Sequence, residues 1–243
     1  MNAAHINNGL LRHYGLAGSR WGRTQLKLQL ACKRLAWQCR IHRGPVLKRS
    51  FDFLVSFLLL LALSPVFLVI ALLIMLEDGG PVFFAQTRVG KFGREFKMFK
   101  FRSMCLNAEA RLKEIQAQNQ HGSEGVTFKM KKDPRITKVG KWTRKFSLDE
   151  LPQIYNVLVG DMSLVGPRPP LPREVERYTL ADRRRLAATP GITCVWQISG
   201  RSEIDFAGQV KLDVGYIETQ DLWTDLKILF LTLPAVVRAK GAC

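Results

Sequence analysis

Two adjacent carboxylates, Asp149 and Glu150, stand in the stretch SLDELPQIYNVLVGDMSLVGPRPP, residues 147–170. Arg168 closes the same stretch, set between Pro167 and Pro169. Proline fixes φ, so this guanidinium is carried on a stiff turn. An acid pair at a helix start and a rigid cation nearby could together hold a phosphate. Ser147 followed by Glu150 fits a capping box. Leu151, Ile154, Tyr155, Leu158 and Val159 then recur at helical spacing, and Gly160 and Asp161 end the run. Acids in a first helical turn also arise simply as caps. Arg168 alone equally fits a surface arginine. What lies on either side decides between these readings.

The elements that must position these residues belong to a chain of 243 residues, long enough for one or two cores. Its 37 Lys plus Arg against 20 Asp plus Glu give a formal charge of +17, which implies a polyanionic partner. That partner could be nucleic acid, anionic lipid or a phosphorylated substrate. Five cysteines form no C-x-x-C pair, so neither a zinc site nor a disulfide framework is indicated. They read as free thiols in a reducing compartment.

Residues 1–19 are aperiodic and are expected to be disordered. Residues 20–43 interleave Trp21, Leu26, Leu28, Leu30, Leu35 and Trp37 with seven cations. This fits a basic helix on an anionic membrane or a solvated basic arm. No signal peptide is indicated, since the apolar run begins late and no small-residue cleavage pattern follows. From Phe53 to Leu76 the chain is almost wholly apolar, roughly 36 Å as a helix. Ser64 and Pro65 sit at its middle, and both flanks are basic, which puts both on one side of a membrane. A helix that enters, breaks at Ser64–Pro65 and returns satisfies both facts; a kinked spanning helix is the other reading.

Residues 82–88 and 95–101 read as a β-hairpin around Gly90–Gly93. Phe99 and Phe101 fall on one face of its second strand, Lys100 and Arg102 on the other, although Lys97 and Met98 depart from the alternation. Helices are expected over 106–118, 173–188 and 205–220, with a polar loop over 119–134. Cations including Arg144 lead up to the acid pair. ITCVWQISGR ends in a turn at Gly200 and Arg201, and 222–239 reads as an interfacial or core helix interrupted by Pro234.

The KRSFDF segment, the apolar run broken at Ser-Pro, FKMFKFRSM, SLDELPQIYNVLVGDMSLVGPRP, PGITCVWQISGR and LDVGY occur in one order over residues 47–240. Taken together they resemble the bacterial sugar transferases, monotopic phosphoglycosyl transferases that start surface-polysaccharide assembly. The resemblance is to the small, exopolysaccharide-initiating members, and it does not reach the basic arm.

The resemblance implies an α+β, mainly helical fold: a monotopic membrane protein with a Ser-Pro-broken re-entrant helix, a small β-hairpin and interfacial amphipathic helices. The expected parts are the arm over 1–46, the membrane helix over 47–78 and a catalytic domain over 79–243. That domain would lie on the cytoplasmic face of the bacterial inner membrane. The implied reaction moves a sugar 1-phosphate, here a plain hexose phosphate, from a UDP-sugar to undecaprenyl phosphate and releases UMP. By position Asp149 is the nucleophile, forming a covalent phosphosugar intermediate, and Glu150 is associated with Mg²⁺. The residue types suit this, because a covalent step lets two anionic substrates use the site in turn. Arg144, Arg168 and Arg201 are the candidate phosphate ligands, followed by Lys100 and Arg102, with Asp213 orienting one of the arginines. Expected partners are the UDP-sugar, undecaprenyl phosphate and the anionic membrane, with a homo-oligomer and downstream glycosyltransferases as further candidates. Nucleic acid is not expected, since no helix-turn-helix or RNA-binding signature is present. The competing readings are a membrane-anchored nucleic-acid-binding protein and a non-catalytic membrane scaffold for polysaccharide export.

Overall fold

A computed structural model describes residues 20–108, 133–200 and 204–237. Residues 1–19, nearly all of the expected helix at 106–118, most of the loop at 119–134, and Arg201 lie outside the described residues. The chain divides into two units, Met1–Lys48 and Arg49–Cys243. Helical backbone, α1, runs over Arg20–Asp78 and contributes to both. In the first unit Trp21, Leu28 and Leu30 are exposed.

The second unit is mainly helical, with two small sheets. Strands β1 (Phe83–Val89) and β2 (Glu95–Phe101) form the expected antiparallel hairpin, with Gln86 opposite Met98 and Arg88 opposite Phe96. Helices α2 (Lys138–Lys145) and α3 (Gln153–Val159) follow, separated by a 3-10 turn over Leu148–Glu150. Then come β3 (Ser163–Val165), the short α4 (Pro172–Val175), a 3-10 segment over Asp182–Ala187 and β4 (Gly191–Thr193). Helices α5 (Val195–Ser199), α6 (Phe206–Thr219) and α7 (Leu222–Val237) complete the described chain.

Strand β2 separates two cores. Phe96 and Met98 point into the larger one, with Val157, Met162, Leu164, Val165, Tyr216 and Ile228. Phe101 points the other way, into a smaller core with Ile70 and Ile74 of α1. This is the pleat at work: residues two apart share a face. Both faces are covered along part of the strand, which is why its apolar pattern is not a clean alternation.

The apolar part of α1 is the one described helix long and apolar enough to cross a membrane, Gly44–Asp78. The expected break at Ser64–Pro65 does not interrupt it, because the helix continues through both residues. Pro65 has no N–H for the Leu61 carbonyl, and the Ser64 hydroxyl donates to that carbonyl instead, at 2.8 Å. The part of this segment that lies in the second unit, from Arg49 on, is tied at both ends to the rest of that unit. Arg49 donates from Nη1 to the Val157 carbonyl (2.6 Å) and from Nη2 to that of Leu158 (2.7 Å), and Asp52 accepts from Leu164 N–H. At the other end Glu77 accepts from the N–H groups of Lys138 and Val139, and Asp78 pairs with Arg102. Between them Phe57, Leu58, Leu61 and Leu68 are exposed.

The expected helix over 173–188 is two short pieces. The Asp182 carboxylate accepts from the Thr179 N–H and hydroxyl, and Asp182 N–H donates back to that hydroxyl. These side chains offer the backbone a local alternative to continued helix. The parallel pairing of β3 with β4 was not anticipated. It depends on two glycines: a Cβ on Gly166 would lie 2.3 Å from the Thr189 carbonyl oxygen, and one on Gly191 would lie 2.0 Å from the Gly166 nitrogen. In α7, Asp225 and Ile228 are buried while Trp223, Phe230 and Leu231 are exposed, so one face is core and the other is open.

Candidate active site

The acid pair is set by a sharp reversal after α2. Ser147 adopts the left-handed conformation, φ 55°, and its side chain caps nothing. The expected capping box is therefore absent, since an N-cap needs extended backbone. The left-handed residue ends α2 and starts the 3-10 turn that carries both acids. Leu148 and Leu151, three apart and so on one side of that turn, pack against Ile70, Ile74 and Phe101. The turn is thus pinned by its apolar residues. Asp149 is only 7% exposed.

Lys100, at the end of β2, places its ammonium 2.7 Å from Glu150 Oε1. The strand is held at this height by α3. Asn156, fully buried, accepts from Phe99 N–H at 3.0 Å and donates to the Lys97 carbonyl at 2.7 Å. Its amide thus pairs with β2 much as another strand would. Arg168 reaches the same pocket from the proline turn, and Arg88 enters it from β1. The turn is held on both sides: Val89 N–H donates to the Pro170 carbonyl and Gly191 N–H to that of Pro167, each at 2.9 Å.

Electrostatics separate the two acids. Burial pushes the Asp149 carboxyl above its ordinary value; Lys100 and Arg144 oppose the shift and Glu150 adds to it. Burial also acts to raise Glu150, but Lys100, Arg168 and Arg88 outweigh it and hold that carboxyl at about 2. One acid is a fixed anion; the other is more basic than an ordinary aspartate.

Arg144 donates from Nε to Ser103 Oγ at 3.0 Å and its charge acts on Asp149. Arg102 does not join this group. Strand β2 ends at Phe101, so Arg102 no longer shares a face with Lys100, and its buried guanidinium pairs with Asp78. Asp213 is placed differently from expectation. Helix α6 packs on the 3-10 segment, and Asp213 Oδ2 accepts from Arg185 Nη2 at 2.5 Å, both side chains being buried. Burial carries Asp213 up to about 6 despite Arg185. Arg88 and Asn156 were not selected from the sequence. A strand position two from Gln86 was the available signal for Arg88; Asn156, one polar residue inside an apolar helix, offered none.

Among the described residues no three acids, histidines or cysteines gather as a metal cluster. Asp149 and Glu150 are nonetheless hard oxygen donors beside each other. Glu150, the ionised one of the two, fits Mg²⁺ in the mode where one carboxylate holds the ion and substrate phosphates complete its shell.

Residues 43–239 match the family described as Bacterial sugar transferase. The chain is 54% identical over 167 residues to the galactosyl transferase CpsE of Streptococcus agalactiae, covering 68% of this chain and 37% of that protein. It is 44% identical over 201 residues to the exopolysaccharide production protein ExoY of Sinorhizobium fredii, covering 82% and 89%. It is 45% identical over 198 residues to the undecaprenyl-phosphate galactose phosphotransferase of Salmonella typhimurium, covering 81% and 41%. The match thus spans about two-fifths of two of these relatives and nearly all of the third. With its family match running from before the apolar helix to the end of α7, the chain belongs to the bacterial sugar transferases.

Proposed function

We propose that the protein is a phosphoglycosyl transferase that moves a hexose 1-phosphate from a UDP-sugar to undecaprenyl phosphate. The observation that carries this is the pairing of a buried, basic Asp149 with an ionised Glu150 beneath the cations Lys100, Arg168 and Arg88. In the first step an Asp149 carboxylate oxygen attacks the sugar-linked phosphorus. The bond from that phosphorus to the bridging oxygen breaks, and UMP leaves with the electron pair. In the second step an oxygen of the lipid phosphate attacks the same phosphorus. The acyl phosphate bond breaks, the carboxylate is restored, and the product is a lipid diphosphate sugar. Lys100, Arg168 and Arg144 offset the charge that builds on the phosphoryl oxygens. Glu150 would hold Mg²⁺ together with the diphosphate, and the ion would supply further charge neutralisation there.

The lipid substrate requires a site at a membrane surface, and the docking of α1 supports one. Both ends of its apolar segment bind the same unit, while exposed apolar side chains fill the middle. A helix that bends at Ser64–Pro65 while its backbone stays helical, and so enters a bilayer and returns to the same side, fits these contacts. The basic flanks support placing the unit on the cytoplasmic face. Initiation of exopolysaccharide assembly is the role that the ExoY likeness supports, and galactose is the first sugar to test.

The test is purified protein with a panel of UDP-sugars, with and without polyprenyl phosphate, reading UMP release. One UDP-sugar should give about one equivalent of UMP without lipid and continuous turnover with it. No UMP release from the wild type with any UDP-sugar, with or without lipid, would instead make the protein a scaffold, whereas an Asp149→Asn variant that turns over like wild type would remove Asp149 as the nucleophile.

A further inference from the structure

We propose that Arg88 is a phosphate-binding residue of this site and grips the transferred phosphate of the sugar nucleotide. The assignment rests on the function proposed above and adds a residue to it. Arg88 is buried, 9% exposed, at the end of β1. Cross-strand pairs share a face, so Arg88 and Gln86 stand on the same side of the hairpin as Phe96, Met98 and Lys100. That side leads to Glu150.

The hydrogen-bond partners of this buried cation are neutral. Nε and Nη2 donate to Gln86 Oε1 at 3.1 and 2.7 Å, and Nη1 donates to the Pro169 carbonyl at 3.0 Å. A buried charge is costly unless an opposite charge meets it. Glu150 and Glu174 act on Arg88 from a distance, but Arg168 and Arg173 act against them. Glu150 is already paired with Lys100, and the Glu174 carboxylate accepts from Leu171 N–H. The pocket that Arg88 lines with Arg168, Lys100 and Glu150 thus holds three cations against one anion. The pocket encloses only about 10 Å³, so a phosphate dianion offsets this charge from its mouth rather than from inside it.

The geometry suits a phosphate. A guanidinium has five N–H groups. Three of those on Arg88 are used, one from each nitrogen, which leaves one N–H on each terminal nitrogen. Gln86 and Pro169 hold the plane of the fork fixed, so little freedom remains to be lost when an anion binds. The same Pro169 contact ties Arg88 to the turn that carries Arg168, so the two guanidinium groups meet the ligand as a pair.

The test measures UDP and UMP binding by calorimetry for wild type, Arg88→Gln and Arg88→Lys, all as full chains in nanodiscs. UDP carries the second phosphate and UMP does not. Arg88→Gln should lose about 10- to 100-fold in UDP affinity, the range for charge-assisted hydrogen bonds, while UMP affinity changes far less. Arg88→Lys, which keeps the charge and loses the fork, should fall between. If Arg88→Gln does not fold, the lysine variant decides. An unchanged ratio of UDP to UMP affinity in the folded variants overturns the assignment and leaves the proposed function standing. Wild-type protein that binds neither nucleotide overturns the proposed function itself, and this assignment with it.

Discussion

The Lys100 ammonium, carried on the strand that Asn156 holds in place, lies 2.7 Å from the Glu150 carboxylate. Together with the charges of Arg168 and Arg88, this contact makes two neighbouring acids different. Glu150 is held as an anion at all ordinary pH, whereas Asp149 is pushed upward, first by burial and also by Glu150. A nucleophile must be ionised to attack, yet gains reactivity with basicity. The pair gives Asp149 that basicity without a change of residue type.

A pH prediction follows with a definite sign. The attack proposed for Asp149 needs its ionised form, so kcat/KM should fall as pH falls through a value above the ordinary aspartate range. Lys100 opposes the upward shift of Asp149, so Lys100→Met should move the acid limb to higher pH. For stability the sign differs between the two acids. Glu150 contributes stability above its unfolded value that is lost as pH falls toward about 2. Raised Asp149 does the reverse, and relieves a cost as pH falls. A pH–rate profile of Lys100→Met that overlays wild type would remove Lys100 from this account.

The proposed covalent step gives the two acids different roles, and variants of each separate them. Asp149→Asn should abolish both UMP release and labelling of the enzyme by phosphosugar, because an amide is a poor nucleophile. Glu150→Gln should keep the label but slow its formation and weaken the dependence on Mg²⁺. Mass spectrometry of enzyme quenched with UDP-sugar alone reads both. UMP release that needs lipid, with no trapped adduct, would favour direct transfer.

Arg168→Lys tests the rigid turn. The guanidinium sits between two prolines, on a loop bound at Pro167, Pro169 and Pro170. Lysine keeps the charge but loses the planar fork. The expected loss in kcat/KM is about 10- to 100-fold, the equivalent of one or two charge-assisted bonds. A loss below about twofold would leave Arg168 a structural role only.

Asn156→Leu should destabilise the fold by about 3 kcal/mol, since it leaves the Phe99 N–H and the Lys97 carbonyl without their partner. For a unit of this size that is roughly 6–12 °C in Tm. The same variant frees β2 next to Lys100, so activity should fall even at temperatures where the protein is folded.

These residues show what the sequence could reveal. The hairpin was legible because two β-like runs flank a glycine turn, and it appears within one residue of expectation. The acid pair and Arg168 were legible because their motif is compact. Asn156 was not, because the apolar spacing drew attention to Tyr155 and Val159, which are half exposed, rather than to its own fully buried position. Arg185, the partner of Asp213, was lost in an arginine-rich run that carries no signal of which cation is buried. The β3–β4 pairing was hidden because each strand has only three residues, and it depends on close approach at Gly166 and Gly191.

Membrane topology is the last prediction. Arg49 binds the carbonyls that end α3, and Glu77 caps the start of α2. These two helices lie in one unit, on either side of the acid pair, so the unit that receives both contacts cannot lie on opposite sides of a bilayer. The segment between is about 45 Å long as a straight helix, enough to cross and leave one end stranded. Two polar anchors, the half-buried Arg49 and the exposed Glu77, hold it back. Asp52 and Ser56 are buried near one end, whereas Leu61 near the middle is 66% exposed, ready for lipid. The Ser64 hydroxyl on the Leu61 carbonyl lets the helix accommodate Pro65 without a bare acceptor in that apolar setting. Single-cysteine variants at Ser50, Leu61 and Lys91, with the native cysteines replaced, read the result through an impermeant maleimide. Ser50→Cys and Lys91→Cys should both label only after the membrane is permeabilised, and Leu61→Cys should resist labelling throughout. Labelling of Ser50→Cys in intact cells while Lys91→Cys stays protected would establish a spanning helix, and the contacts at Arg49 would then have to break in the membrane.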